Sequence, residues 1–151
     1  MRQLIVDNDC KEVVEFGTSF GISTIYLADA VRQTGGKVIT TELLESKAKR
    51  AIQNMEEAGL GDYVEVRIGD AMQTLRDYTE PIDFLFLDGW KDLYLPLFKM
   101  LEPRFHKGTL IYADNMDMAE TGLLADYIYN KSDRYSAEYV HGSKGLLTKV
   151  I

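Results

Sequence analysis

The sequence is short of several things. Its 151 residues include one cysteine, one tryptophan, two histidines and three prolines. A lone cysteine, Cys10, rules out an internal disulfide framework, fits a reducing cytosol and reads as a small buried hydrophobe. No apolar run reaches membrane-spanning length and no basic-then-apolar leader is seen, so a cytoplasmic location with no membrane partner is expected. No repeat, low-complexity tract or Pro/Gly-rich linker breaks the chain. That predicts a single domain over residues 1–151, long enough to bury roughly two-thirds of its unfolded surface. Positive charge is also in deficit, with 17 Lys and Arg against 24 Asp and Glu and a net charge of -7. This balance disfavours a nonspecific grip on nucleic acid or anionic lipid. A GxGxxG dinucleotide fingerprint is missing, which argues against a nicotinamide dehydrogenase.

What is present is an alternation of strand and helix patterns. Near-continuous apolar runs, "EVVEF", "KVITTEL", "YVEVRI", "IDFLFLD" and "GTLIYAD", read as strands. Helical spacing follows in "STIYLADAVRQT" and "ESKAKRAIQNMEEAGL", and at roughly residues 71–78, 92–101 and 119–130. Apolar strands alternating with helices indicate an α/β architecture, a parallel sheet covered on both faces. The tail differs: "RYSAEYV", "HGSKG" and "LLTKVI" read as strand, turn and strand, so the last strand is expected to run antiparallel.

The ends of the strands carry the chemistry. "EFGTSFGIS" places Gly17 and Gly21 between the first strand and a helix, where backbone can approach a ligand and free N–H groups are on offer. Glu42 ends the second strand, placed to accept hydrogen bonds from ribose hydroxyls. "GDA", Gly69 to Ala71, ends the third, where an adenine ring is expected. Taken singly, Glu42 reads as a solvated strand-end charge and Asp70 as a helix N-cap. Together, ribose and adenine without a diphosphate nest point to S-adenosylmethionine.

Asp88 ends the fourth strand, and Asp114 and Asn115 end the fifth. Two carboxylates and an amide oxygen make a hard, all-oxygen ligand set suited to Mg²⁺ or another divalent cation. Taken singly, each reads as a turn cap. Lys91, three residues past Asp88, reads either as a surface lysine or as a general base. A nearby dication and partial burial favour its uncharged form. The expected reaction is methyl transfer to a hydroxyl oxygen. Trp90 either lines the crevice or packs against the sheet. His106 and His141 have no partners legible in the sequence.

"LDGWKDLYLP" followed by "KGTLIYADN", with "VVEFGTSFGIS" upstream, resembles the metal-dependent class I O-methyltransferases, both the catechol and the caffeoyl-CoA enzymes. The resemblance runs from about Val13 to Asn115. It implies a Rossmann-like, doubly wound, mostly parallel seven-stranded sheet with an antiparallel C-terminal strand. It implies a metal on Asp88, Asp114 and Asn115, Lys91 as base, and a small-molecule hydroxyl acceptor. It also implies cofactor contacts from Gly17, Gly21, Ser23, Glu42, Leu43, Asp70, Ala71, Asp88 and Trp90, with Ser23 at the methionine carboxylate and Glu15 supporting the glycine loop.

Three departures stand out. The catechol enzyme has a histidine at the position of Gly89. The family's helices that lid the cofactor precede the glycine motif, whereas only Met1–Lys11 precede the first strand here. This leaves open a truncated chain, a partner chain such as the second copy of a homodimer, or a weak enzyme. The family's second catechol-orienting acid has two candidates, Glu120 and Glu138. Two other functions stay open: a cofactor-binding domain with little or no turnover, and methylation of a hydroxylated nucleoside in RNA.

Overall fold

The computed structural model describes residues 1–151. Seven strands form one sheet: β1 (Glu12–Phe16), β2 (Lys37–Glu42), β3 (Val64–Ile68), β4 (Ile82–Leu87), β5 (Phe105–Ala113), β6 (Tyr135–Val140) and β7 (Gly145–Val150). Their order is β3-β2-β1-β4-β5-β7-β6. Strands β1 to β5 are parallel, and β7 runs antiparallel to both β5 and β6. The expected doubly wound α/β sheet with a reversed last strand is therefore the fold.

Helices cover both faces: α1 (Arg2–Asp7), α2 (Ile22–Thr34), α3 (Glu45–Glu57), α4 (Ala71–Thr74), α5 (Tyr94–Leu101) and α6 (Gly122–Tyr129). The inner strands β1, β2 and β4 are buried along most of their length because successive side chains point to opposite, covered faces. Val13, Phe84, Phe86 and Leu110 meet Ile5, Leu27 and Val31 on one side. Val14, Leu85, Leu87 and Ile111 meet Leu97, Phe98, Leu124 and Ile128 on the other. Each such side chain contributes roughly 1.5–3 kcal/mol by leaving water.

Several boundaries differ from the sequence reading. Helix α1 was not expected. Its register is fixed from outside, by burial of Ile5 and by a 2.6 Å ion pair from Arg2 to Asp29 of α2. Helix α4 stops at Thr74 rather than Tyr78. The residues beyond it pack instead, Leu75 into the core and Tyr78 with its hydroxyl on Glu12. Single 3-10 turns, Lys91–Leu93 and Ala119–Thr121, replace the first turns expected of α5 and α6. Strand β5 begins at Phe105, three residues before the expected Gly108, across a break in register with β4.

His106 is not unpartnered. At the sheet end opposite the carboxyl termini of the parallel strands, Asp83 Oδ2 accepts the N–H groups of Lys11 at 2.8 Å and Glu12 at 2.9 Å. Asp83 Oδ1 lies 2.8 Å from His106 Nε2. These bonds clasp β1, β4 and β5 together. His141 lies edge-on to Tyr112, with ring centroids 6.5 Å apart. Cys10 is buried as expected, and burial with the charges of Asp83 and Asp9 pushes its thiol up to about 11. No helix is long and apolar enough to cross a membrane.

Candidate active site

The chain leaves β1 in one direction to build β2 and β3, then returns to build β4 and β5 on the other side. Sheets of this kind open a crevice at that switch point, beyond the carboxyl ends of the strands. A cavity of about 1030 Å³ lies there. Gly17, Ser23, Glu42 and Leu43 line it from the β1 and β2 side, and Asp70 and Ala71 from β3. Asp88, Trp90 and Asp114 line it from β4 and β5. Glu15, Gly21, Lys91 and Asn115 are not on its wall, though each touches or adjoins a residue that is.

The glycine turn has a steric reason. Gly17 has φ of +106°, and a Cβ there would lie 2.8 Å from the carbonyl carbon and oxygen of Asp88 and from the Gly89 nitrogen. No other residue fits between β1 and β4 at this point. Gly21, also left-handed at +88°, opens α2. Glu15 lies behind the turn because strand alternation points it at α2. It is completely buried and accepts hydroxyl protons from Ser23 at 2.5 Å, Thr24 at 2.6 Å and Thr40 at 2.7 Å. Burial pushes its carboxyl above the usual range while the three hydroxyls oppose that shift. The Ser23 hydroxyl proton is thus committed to Glu15, and the first N–H groups of α2 are left without intrahelical acceptors.

Glu42 arches over the same turn. Its two oxygens accept the N–H of Ser19 at 2.8 Å and of Leu44 at 2.9 Å. Each carboxylate oxygen retains a second lone pair for a ligand hydroxyl. Asp70 caps α4, accepting from the Met72 N–H at 2.8 Å, and lines the cavity as well. The N-cap and site readings of that residue are compatible.

On the other side, Leu87 pairs with Ala113, so the next residues, Asp88 and Asp114, leave neighbouring strands at the same level. The Asp88 side chain lies 3.4 Å from Lys91 Nζ. Burial pushes the Asp88 carboxyl above its ordinary range, the Lys91 charge opposes this and the Asp114 charge adds to it. Asn115 adopts a left-handed φ of +56° and gives its backbone N–H to Asp114 Oδ1 at 2.8 Å. No group of three or more His, Cys, Asp and Glu side chains is placed to hold a metal ion. A dication here would rest on two carboxylates and the Asn115 amide.

Trp90 lines the crevice rather than packing in the sheet, and is 72% exposed. A histidine at Gly89 would require the Phe16 ring to move, since a Cβ there would sit 2.6 Å from it. Phe16 itself lines the cavity and supplies an apolar wall at that place. Neither Glu120 nor Glu138 lines it. Sequence reasoning missed Tyr94, whose hydroxyl meets Lys91, and Tyr26, which lines the cavity one helical turn beyond Ile22. The four-residue spacing of Ile22 and Tyr26 on one helix face was the available signal.

A family described as "Methyltransferase domain" matches residues 14–116, the span from β1 to just past Asn115. The chain belongs to the methyltransferase-domain family. It is 36% identical over 110 residues to a catechol O-methyltransferase of Niastella koreensis, covering 70% of this chain and 49% of that one. It is 32% identical over 149 residues to catechol O-methyltransferase B of Danio rerio, covering 90% and 56%. This methyltransferase domain thus spans about half the length of the curated relatives it matches. An O-methyltransferase from Bacillus cereus, solved in complex with SAH, superposes with a TM-score of 0.89 at 29% identity, covering 99% of this domain and 78% of that chain.

Proposed function

We propose that this methyltransferase domain moves the methyl group of S-adenosylmethionine to a hydroxyl oxygen of a small, catechol-like acceptor. The observation that carries this is the shared cavity. One wall holds the glycine turn with Glu42, and the facing wall holds Asp88 and Asp114 beside Lys91.

The residues fit the cofactor. Gly17 leaves a cradle that any Cβ would fill. Glu42 has lone pairs for ribose hydroxyls, and Ala71 and Leu43 give apolar contact for the adenosine part. S-adenosylmethionine, when bound, supplies a methyl group on a positively charged sulfur. The residues also fit a divalent cation of the Mg²⁺ class, because Asp88 and Asp114 leave β4 and β5 at the same level and the one lysine, which contacts Asp88, offsets only part of their charge. Asp88, Asp114 and Asn115 would hold it, and when bound it supplies positive charge beside the acceptor hydroxyl. Lys91 takes the acceptor's proton in this reading. Phe16 gives the crevice a buried apolar wall. Holding the reacting atoms in line contributes on the order of 7–11 kcal/mol to such a transfer.

Methyl transfer to a catechol, with and without Mg²⁺, tests the reading. Turnover that requires the metal and falls to background in Asp88→Ala supports it. Full turnover in that variant overturns the metal assignment. Titration with S-adenosylhomocysteine, with NAD as control, tests the cofactor assignment separately. A second reading, a cofactor-binding domain without turnover, is favoured by the exposure of Trp90, Leu43 and Ile22 around the cavity mouth. Binding of S-adenosylhomocysteine with no methyl transfer to any catechol would decide for it.

A further inference from the structure

Lys91 is held by more than Asp88. Its Nζ lies 2.9 Å from the hydroxyl of Tyr94. That hydroxyl donates in turn to the backbone carbonyl of Asp114 at 3.1 Å. A phenol has one proton, and here the carbonyl takes it, so towards Lys91 the oxygen can only accept. The direction of the contact is fixed by the backbone carbonyl of Asp114, just past β5, rather than by either side chain.

Tyr94 is suited to be the fixed point of this chain of bonds. It is 0% exposed, and its ring stands edge-on to Phe16, with centroids 6.4 Å apart and planes at 73°. The Lys91 side chain, by contrast, is a flexible four-carbon stem. Its ammonium nitrogen also lies 5.1 Å from the Tyr94 ring centroid. Without a partner, such a stem would spread over several rotamers.

We propose that Tyr94 is a positioning residue for methyl transfer: anchored on the Asp114 carbonyl, its hydroxyl holds the Lys91 amine where the acceptor's hydroxyl arrives. The proposal rests on the reading of Lys91 as the base. Tyr94 and Asp88 occupy two directions around Lys91 Nζ, and in this reading the acceptor's hydroxyl takes a remaining one. As the acceptor oxygen bonds to the methyl carbon, its proton passes to Lys91 Nζ. The carbon–sulfur bond breaks, with its electron pair left on sulfur. Tyr94 gives up no proton in this sequence. It ties the base to Asp114, the residue just past the end of β5, so base and acceptor site move together.

The test uses the full chain and three variants, Tyr94→Phe, Lys91→Ala and the double substitution. Phenylalanine keeps the buried ring and removes only the hydroxyl. With S-adenosylmethionine, Mg²⁺ and a catechol, Tyr94→Phe is expected to lower kcat about a hundredfold. KM for S-adenosylmethionine and the affinity for S-adenosylhomocysteine should not change. In the Lys91→Ala background the same substitution should cost nothing further. A second readout needs no turnover: ¹³C relaxation at Lys91 Cε should show an ordered methylene in the unsubstituted protein and a mobile one in Tyr94→Phe. Equal mobility in the two proteins overturns the proposal, as does an undiminished kcat in Tyr94→Phe while Lys91→Ala is inactive. Full turnover in Lys91→Ala overturns the reading of Lys91 as base, and the role of Tyr94 falls with it.

Discussion

Gly17 touches the main chain of Asp88: a Cβ on the glycine would lie 2.8 Å from the aspartate's carbonyl carbon and oxygen. The first residue of the glycine turn and the first residue of the proposed metal site are thus in direct backbone contact across β1 and β4. Gly17→Ala is expected to damage both halves at once. Forcing a side chain into this left-handed conformation costs about 1–3 kcal/mol before any clash is counted. The thermal midpoint should fall, and binding of S-adenosylhomocysteine should weaken at least tenfold by calorimetry. Unchanged affinity would show that the turn does not approach the cofactor.

Glu42→Ala separates cofactor binding from fold. The side chain lies at the cavity rim, and its removal leaves two loop N–H groups, Ser19 and Leu44, free to find water. Hydrogen bonds to a charged group contribute about 1.5–3 kcal/mol. Affinity for S-adenosylhomocysteine should therefore fall roughly tenfold to a hundredfold, and the urea midpoint should move little. Glu42→Gln, which keeps one acceptor oxygen, should lie between.

Glu15→Ala should act on stability first. The substitution strands two buried hydroxyls, those of Thr24 and Thr40, and the half-buried one of Ser23, all of which now donate to one carboxylate. An unsatisfied buried polar group costs about 1–3 kcal/mol. Equilibrium unfolding in urea should show a loss at the upper end of that range or beyond. Cofactor affinity should fall only through loosening of the first turn of α2.

Acid sensitivity should come in part from Glu102, far from the crevice. Burial alone would raise its carboxyl. The hydroxyls of Tyr135 and Tyr127 and the charges of Arg134 and Lys131 outweigh that and hold it below the ordinary range. The ionised form is therefore favoured by folding. Its contribution is complete above the unfolded carboxyl value of about 4.3 and is lost as pH falls through the lower folded value. Urea midpoints measured from neutral pH downward should drop below about pH 4–5. In Glu102→Gln the midpoint should start lower and depend less on pH. An identical acid slope in the two proteins would remove Glu102 from the account.

The sheet was legible because both of its faces are covered. Runs such as Phe84–Leu87 need no alternation of polar and apolar residues, and their ends could be read from the acids that follow. Helix ends were less legible. Helix α4 closes early because Leu75 and Tyr78 are used by the core, and α1 exists because Ile5 and Arg2 find partners on α2 and beneath it. Neither fact is written in local spacing. At the site, the acids were legible one strand at a time, since each ends a strand. Tyr94 was not, because a tyrosine on an apolar helix face looks like core until its hydroxyl is seen to meet Lys91 and Asp114. His106 was missed for the same reason: Asp83, its partner, is distant in sequence.

The Asp83 clasp divides the labour of the molecule. It fastens three strands at their amino ends, while everything proposed to recognise cofactor and acceptor hangs from their carboxyl ends. Substitutions around Tyr26, Trp90 and Leu43 can therefore redraw what the crevice accepts without loosening the sheet beneath. A scaffold anchored in this way can drift among acceptors over evolutionary time and stay folded throughout.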